Sequence, residues 1–238
     1  HMSPRFTYSR WDGTQRGFDL DADLLFDQLT DELLHHGDVN AALRRMMQDG
    51  LRDADGNRLD GLRDLIDRIR ESQRDSPVNA VNVAATLARN KPINRAFGRF
   101  AQAVLFDGGL SRRNVELAVL RMGWNCQAVY EFGQHTLFGR EAGLTETEIY
   151  AVTRPLDQHR WTDEERIVLQ VVDELYADDC VGDDTWSAAA AIFDDAELLH
   201  LVMAAGCYRV VSGVLNSCGV ELDEGVPGWP TPPRSDGS

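Results

Sequence analysis

Glu131 and His135 lie four residues apart in the run Val129-Tyr130-Glu131-Phe132-Gly133-Gln134-His135, where the other side chains are largely apolar. On a helix that spacing puts both on one face. A carboxylate beside an imidazole fixes its tautomer and raises its basicity. Upstream, Glu116 sits inside the apolar run Val115 to Leu120. A carboxylate there must be paired, hydrogen-bonded or protonated, because an isolated buried charge is costly. If the two segments pack antiparallel, two acids and one imidazole meet. The imidazole can then move a proton on a bound organic acid, and a carboxylate kept protonated by its surroundings can act as donor. An i,i+4 Glu–His pair is also a common structural contact, and spacing alone leaves both readings open. A metal site built from Glu116, Glu131 and His135 is a weaker option, since all three are legitimate ligands.

The elements that would position these groups are legible. Ser111 reads as the N-cap of a helix over 112–124. A second helix runs from about 127 to 142 and is stopped by Gly143. Thr145 and Glu148 have capping-box spacing at the start of a third. Apolar residues recur at three and four throughout the chain, and no alternating run is long enough for a strand. The fold class is therefore all-α. The apolar stretch 198–215 contains His200 and Arg209, and reads as a buried helix and not a membrane span. Residues 1–75 read as a helical accessory module, with amphipathic helices near 21–35, 39–49 and 59–74. Residues 76–226 form the main unit and 227–238 a Pro/Gly-rich tail, expected to be an extended arm or frayed end. The Asp53, Asp55, Asn57 spacing fails the calcium-loop pattern and reads as a turn. Adjacent His35 and His36 point about 100° apart on a helix and do not chelate one metal together.

The segment from Glu116 through Cys126-Gln-Ala-Val-Tyr130-Glu131-Phe-Gly-Gln-His135 to Glu141-Ala-Gly-Leu-Thr-Glu146 and Ile149 resembles the carboxymuconolactone decarboxylase family, related to the peroxidase-reductase AhpD. Asn79, Asn82, Leu87 and Asn90-Lys-Pro92 upstream are similar to its leading helices. Trp161 to Arg166, Trp186, Tyr208 and Asn216 to Val220 downstream resemble its longer members. The resemblance implies an AhpD-like helical bundle, here with an additional N-terminal segment, and a homo-oligomer. It also implies Glu116, Glu131 and His135 as catalytic residues. The redox motif of AhpD-type members has two cysteines whose positions fall on Ala128 and Glu131, so the dithiol pair is absent. The implied function follows the decarboxylase branch: acid–base chemistry on a small organic acid, lactone or polyketide-like molecule, with no cofactor and no metal. In that reading His135 shuttles the proton, Glu131 orients it and Glu116 is donor or electrostatic partner. Arg113, Trp124, Tyr130, Tyr208 and Asn216 are the expected substrate-binding residues. Arg112 and Arg121 are further candidates for a substrate carboxylate, although such arginines are as often paired with acids. Residues 3–75 look similar to the N-terminal helical region of bacterial von Willebrand A-domain proteins, which suggests a docking role for that module and a protein partner.

Composition narrows the alternatives. The 238 residues carry 24 basic and 39 acidic side chains, a net charge of −15. Such a surface repels phosphate backbones, so nucleic-acid binding is not expected. Lys91 is the only lysine. Residues 3–15 contain no apolar leader run, and a cytoplasmic location without membrane attachment is the expectation. Cys126, Cys180, Cys207 and Cys218 follow no zinc or disulfide spacing. Two rival functions stay open at this level: a thiol antioxidant enzyme using a lone cysteine such as Cys126, and a non-enzymatic oligomeric binding or scaffold protein.

Overall fold

The computed structural model describes residues 81–233. The N-terminal module, the junction near Ser76 and the von Willebrand resemblance lie outside the described residues. Within them the chain forms eight α-helices and no strand. These are α1 (Val81–Leu87), α2 (Lys91–Gln102), α3 (Arg112–Asn125), α4 (Val129–Glu141), α5 (Glu146–Ala151), α6 (Asp163–Asp178), α7 (Asp183–Ala190) and α8 (Asp195–Cys218). A π-helical turn, Ala103–Asp107, continues α2, and a 3-10 turn, Leu156–Gln158, follows α5. The all-α expectation therefore holds for these residues.

Local chemistry sets the helix boundaries. The Ser111 side chain accepts from the Asn114 backbone N–H and opens α3, as the sequence predicts. Thr145 with Glu148, Thr162 with Glu165 and Asp194 with Glu197 form capping boxes for α5, α6 and α8. Each satisfies backbone donors that the first helical turn leaves without partners. Gly143 ends α4 at φ +87, a conformation with little steric cost only for glycine.

α3 is the central element. Every residue from Asn114 to Gly123 is buried, because α4, α6 and α8 all pack against it. A helix enclosed on all sides has no polar stripe. Full burial of Leu117, Leu120 and Met122 stabilises by roughly 1.5–3 kcal/mol per side chain. Two arginines anchor its flanks. Arg121 makes a two-pronged pair with Asp173 at 2.7 Å on each arm, tying α3 to α6. α4 returns along α3, with Gly123 next to Glu131 and Phe132 and Glu116 next to His135.

α8 is long and apolar enough to cross a membrane by length and composition. It buries Leu198, His200, Leu201, Ala204, Ala205, Cys207, Tyr208, Val211, Ser212 and Leu215 in the bundle, which is how a core helix behaves. Its His200 fixes the segment between α2 and α3. Nδ1 accepts from Leu110 N–H at 3.1 Å and Nε2 lies 2.6 Å from the Val104 carbonyl. The His200 ring also fills the space beside Gly108, where an added Cβ would fall 2.3 Å from ring atoms. Gly108→Ala is therefore expected to push the ring out of both bonds and cost about 2 kcal/mol. A thermal melt of the variant against wild type checks this.

The stretch after α8 turns back over the outer face of α4. Asp223 Oδ2 accepts from the Tyr130 hydroxyl at 2.6 Å and from Gln134 Nε2 at 2.8 Å, and Oδ1 accepts from Asn82 N–H at 3.0 Å. The Trp229 ring packs 5.2 Å from both Trp124 and Phe132. A Cβ on Gly133 would lie 2.2 Å from the Pro227 carbonyl oxygen, so only glycine allows this approach. As far as Pro233, the Pro/Gly-rich segment has no helix, and Trp229 docks it on α3 and α4.

Candidate active site

One turn into α3, Glu116 is completely buried and faces α4. From α4, His135 and Glu131 face it from the same side, each 4% exposed. His135 Nδ1 lies 2.6 Å from Glu116 Oε2 in an aligned hydrogen bond. His135 Nε2 lies 2.9 Å from Glu131 Oε1, but off the ring N–H axis, so that oxygen keeps the charge attraction without an aligned hydrogen bond. The structure thus brings together the three residues singled out by spacing.

The imidazole is held between two carboxylates. Burial alone lowers its pKa, but the charges of Glu116 and Glu131 and the close contacts they make with the ring overcome this and raise it to about 9. His135 is therefore an imidazolium at neutral pH. Around it, the Tyr208 ring packs edge-on at 4.8 Å and Phe138 at 5.2 Å. Burial, with the charges of Glu131 and Glu116, keeps the Tyr208 hydroxyl well above its usual range and hence protonated.

Arg112 stands at the outer edge of the trio. Its Nη2 is 2.9 Å from Glu116 Oε1, and its Nη1 donates to the Leu105 carbonyl at 2.9 Å. The guanidinium lies 4.7 Å from the Phe106 ring centroid and 5.4 Å from that of Phe138. Its side chain is 31% exposed, whereas that of Glu116 is 0%. Arg112 is thus the partly exposed neighbour of a trio that is itself buried.

Four of the five expected substrate-binding residues lie elsewhere. Arg113 points the other way from its neighbour: Nε donates to Glu165 at 2.8 Å, Nη1 to the Gly143 carbonyl at 2.9 Å, and Nη2 pairs with Glu148. It braces α3 against α5 and α6. Trp124 packs on Trp229, and Tyr130 holds Asp223. Asn216 Nδ2 donates to the Cys126 carbonyl at 2.9 Å, joining α8 to the link between α3 and α4. Tyr208 alone of the five touches His135. Of the three arginines considered for a substrate carboxylate, Arg112 is the one placed beside Glu116.

A metal does not suit the trio. The two ring nitrogens point at carboxylates on opposite edges of the imidazole, so no set of lone pairs converges on one point. Among the described residues no group of three His, Cys, Asp or Glu side chains is arranged to hold a metal ion. Two of the thiols, Cys126 and Cys207, are also poorly placed to react. Burial pushes the Cys126 pKa up, against the nearby Ser212 hydroxyl and the charge of Arg209. Burial, helped by Glu131, pushes Cys207 up to about 12. A raised pKa withholds the thiolate that thiol chemistry requires. A cavity of about 420 Å³ lies between α2, α3, α6 and α8, and none of Glu116, Glu131 and His135 lines it.

Residues 92–174, which supply α2 to α6 and the whole trio, match the family described as the Carboxymuconolactone decarboxylase family. The fold is AhpD-like. The peroxidase-related AhpD-core protein from Ralstonia eutropha JMP134 superposes with a TM-score of 0.58 at 21% identity, over 68% of this chain and 86% of that one. A peroxidase-related protein from Silicibacter sp. TM1040 gives 0.58 at 12% identity, over 70% and 86%. A debrominase variant in complex with 2,3,4-tribromopyrrole gives 0.55 at 9% identity, over 71% and 90%. At these identities the likeness is one of fold. Among curated proteins none matches the chain. In the matched segment, a carboxylate, Glu131, faces the histidine.

Proposed function

We propose that the protein is an acid–base enzyme acting on a small organic acid or lactone, with His135 as the proton donor. The observation that carries this is the buried His135 ring held between the carboxylates of Glu116 and Glu131. The fold neighbours are named for different chemistries, peroxidase-related and debromination, so the reaction is read from this chain's own residues. Glu116 holds Nδ1 firmly. Glu131 meets Nε2 without an aligned hydrogen bond, which makes that nitrogen the side at which a substrate atom can take its place. In a decarboxylation, the bond to the departing carboxylate breaks and its electron pair remains on the adjacent carbon as an enolate. The Nε2 proton then forms the new C–H bond, and solvent returns a proton to the imidazole. No metal or organic cofactor is needed for this sequence. The raised thiol pKa values count against the lone-cysteine antioxidant reading.

The test is turnover of a panel of small lactones and unsaturated acids in heavy water. The expected product carries one solvent deuteron at the carbon that lost the carboxylate. The rate is expected to hold at neutral pH and to fall as pH rises through about 9, because the acid form of His135 is then lost. A product without deuterium, or a rate that climbs through that window, rules out His135 as the donor.

A further inference from the structure

Arg112 differs from the other arginines of α3 in how its groups are used. Two phenylalanine rings cover its guanidinium, Phe106 at 4.7 Å and Phe138 at 5.4 Å. Such contacts hold the planar group and strip water from it. Only one of its N–H groups makes an aligned hydrogen bond among the described residues, that from Nη1 to Leu105. The Nη2 contact with Glu116 Oε1 is close but not aligned, and that oxygen, wholly buried, has no hydrogen-bond partner. Arg113 and Arg121, by contrast, are committed to acids and carbonyls. Phe106 is 65% exposed, on the π-helical turn whose Val104 carbonyl is held by His200. An exposed phenylalanine beside a partly exposed arginine, itself in contact with the Glu116 that holds His135, leaves apolar surface and N–H donors together at one place.

We infer that Arg112, flanked by Phe106 and Phe138, anchors the carboxylate of a planar, unsaturated or aromatic organic acid at the outer edge of the Glu116–His135–Glu131 trio. The inference rests on the acid–base reading for the use of that site, but it is a statement about binding and stands or falls separately. The outward N–H groups of Arg112 take the carboxylate as a fork, and the substrate plane lies along Phe106. Charge-assisted pairs of this kind are the strong class of hydrogen bond, so a neutral amide of the same shape binds less well.

Calorimetric titration with benzoate and crotonate, each against its neutral amide, reads this without requiring turnover. Wild type is expected to prefer at least one acid over its amide by about tenfold or more. Arg112→Gln is expected to bind acid and amide alike, and Arg112→Lys to keep part of the preference, with helicity by circular dichroism unchanged in both. If Arg112→Gln fails to fold, Phe106→Ala decides instead: its exposed side chain can be removed without opening the core, and it should weaken the preferred acid about tenfold. An absence of acid preference in wild type overturns the inference, as does a preference retained in a folded Arg112→Gln or undiminished in Phe106→Ala. A preference that depends on Arg112, in a protein whose product carries no solvent deuteron, keeps the anchor and discards the acid–base reading.

Discussion

Replacing His135 by glutamine is expected to lower the rate of the proposed reaction by at least about 10²-fold, the usual cost of losing a positioned proton donor. Glutamine can still offer a hydrogen-bond donor to one of the two carboxylates, but it cannot carry a mobile proton. Binding of a carboxylate ligand at Arg112 is not expected to fall in parallel, since the anchor and the donor are separate groups. Steady-state kinetics should therefore show the loss in kcat with KM little changed. The solvent deuteron should be lost from whatever product remains. A glutamine variant with wild-type kcat would show that the proton comes from elsewhere.

Glu116→Gln addresses the second buried charge. The carboxylate is 0% exposed and lies between His135 and Arg112. Removing it leaves two cations facing a neutral amide, and breaking a buried pair in this way costs about 3–5 kcal/mol. Urea unfolding of the variant and wild type at neutral pH measures the difference. The pH dependence provides a second readout. The folded-state pKa of His135 is raised from an ordinary 6.5 to about 9. Its contribution to stability is thus fully present below about pH 6.5 and is lost as pH rises through about 9, with a total of roughly 3 kcal/mol. Without Glu116 the raising influence is weaker, so the decline should still begin near pH 6.5 but be smaller and end at lower pH. An unchanged stability profile would mean that Glu116 does not hold the imidazolium.

The helical fold was legible because its signals are local. Ser111, Thr145 and Gly143 start and stop helices through hydrogen bonds and dihedral angles that involve only near neighbours. Glu131 and His135 were legible for the same reason, since helix geometry fixes their common face. Their meeting with Glu116 is different. It needed α4 to return along α3, and the sequence supplied this only as an expectation.

Arg112 and Arg113 mark where sequence reading stops. Neighbouring residues on a helix point about 100° apart, so only one can face the trio, and the rotation of α3 about its axis decides which. An amphipathic stripe would reveal that rotation, but α3 is buried on every side by three other helices and carries none. Tyr208 and Asn216 separate in a similar way. Eight residues apart on α8, they sit about 12 Å apart along its axis, so one reaches His135 and the other the Cys126 carbonyl. Residue types and short spacings determined that this chain makes helices and that an acid and an imidazole share one of them. Which arginine closes the site, which aromatic ring touches the histidine and which face the tail covers were decided by packing between elements distant in sequence, because those choices depend on rotations and crossings that no local pattern encodes.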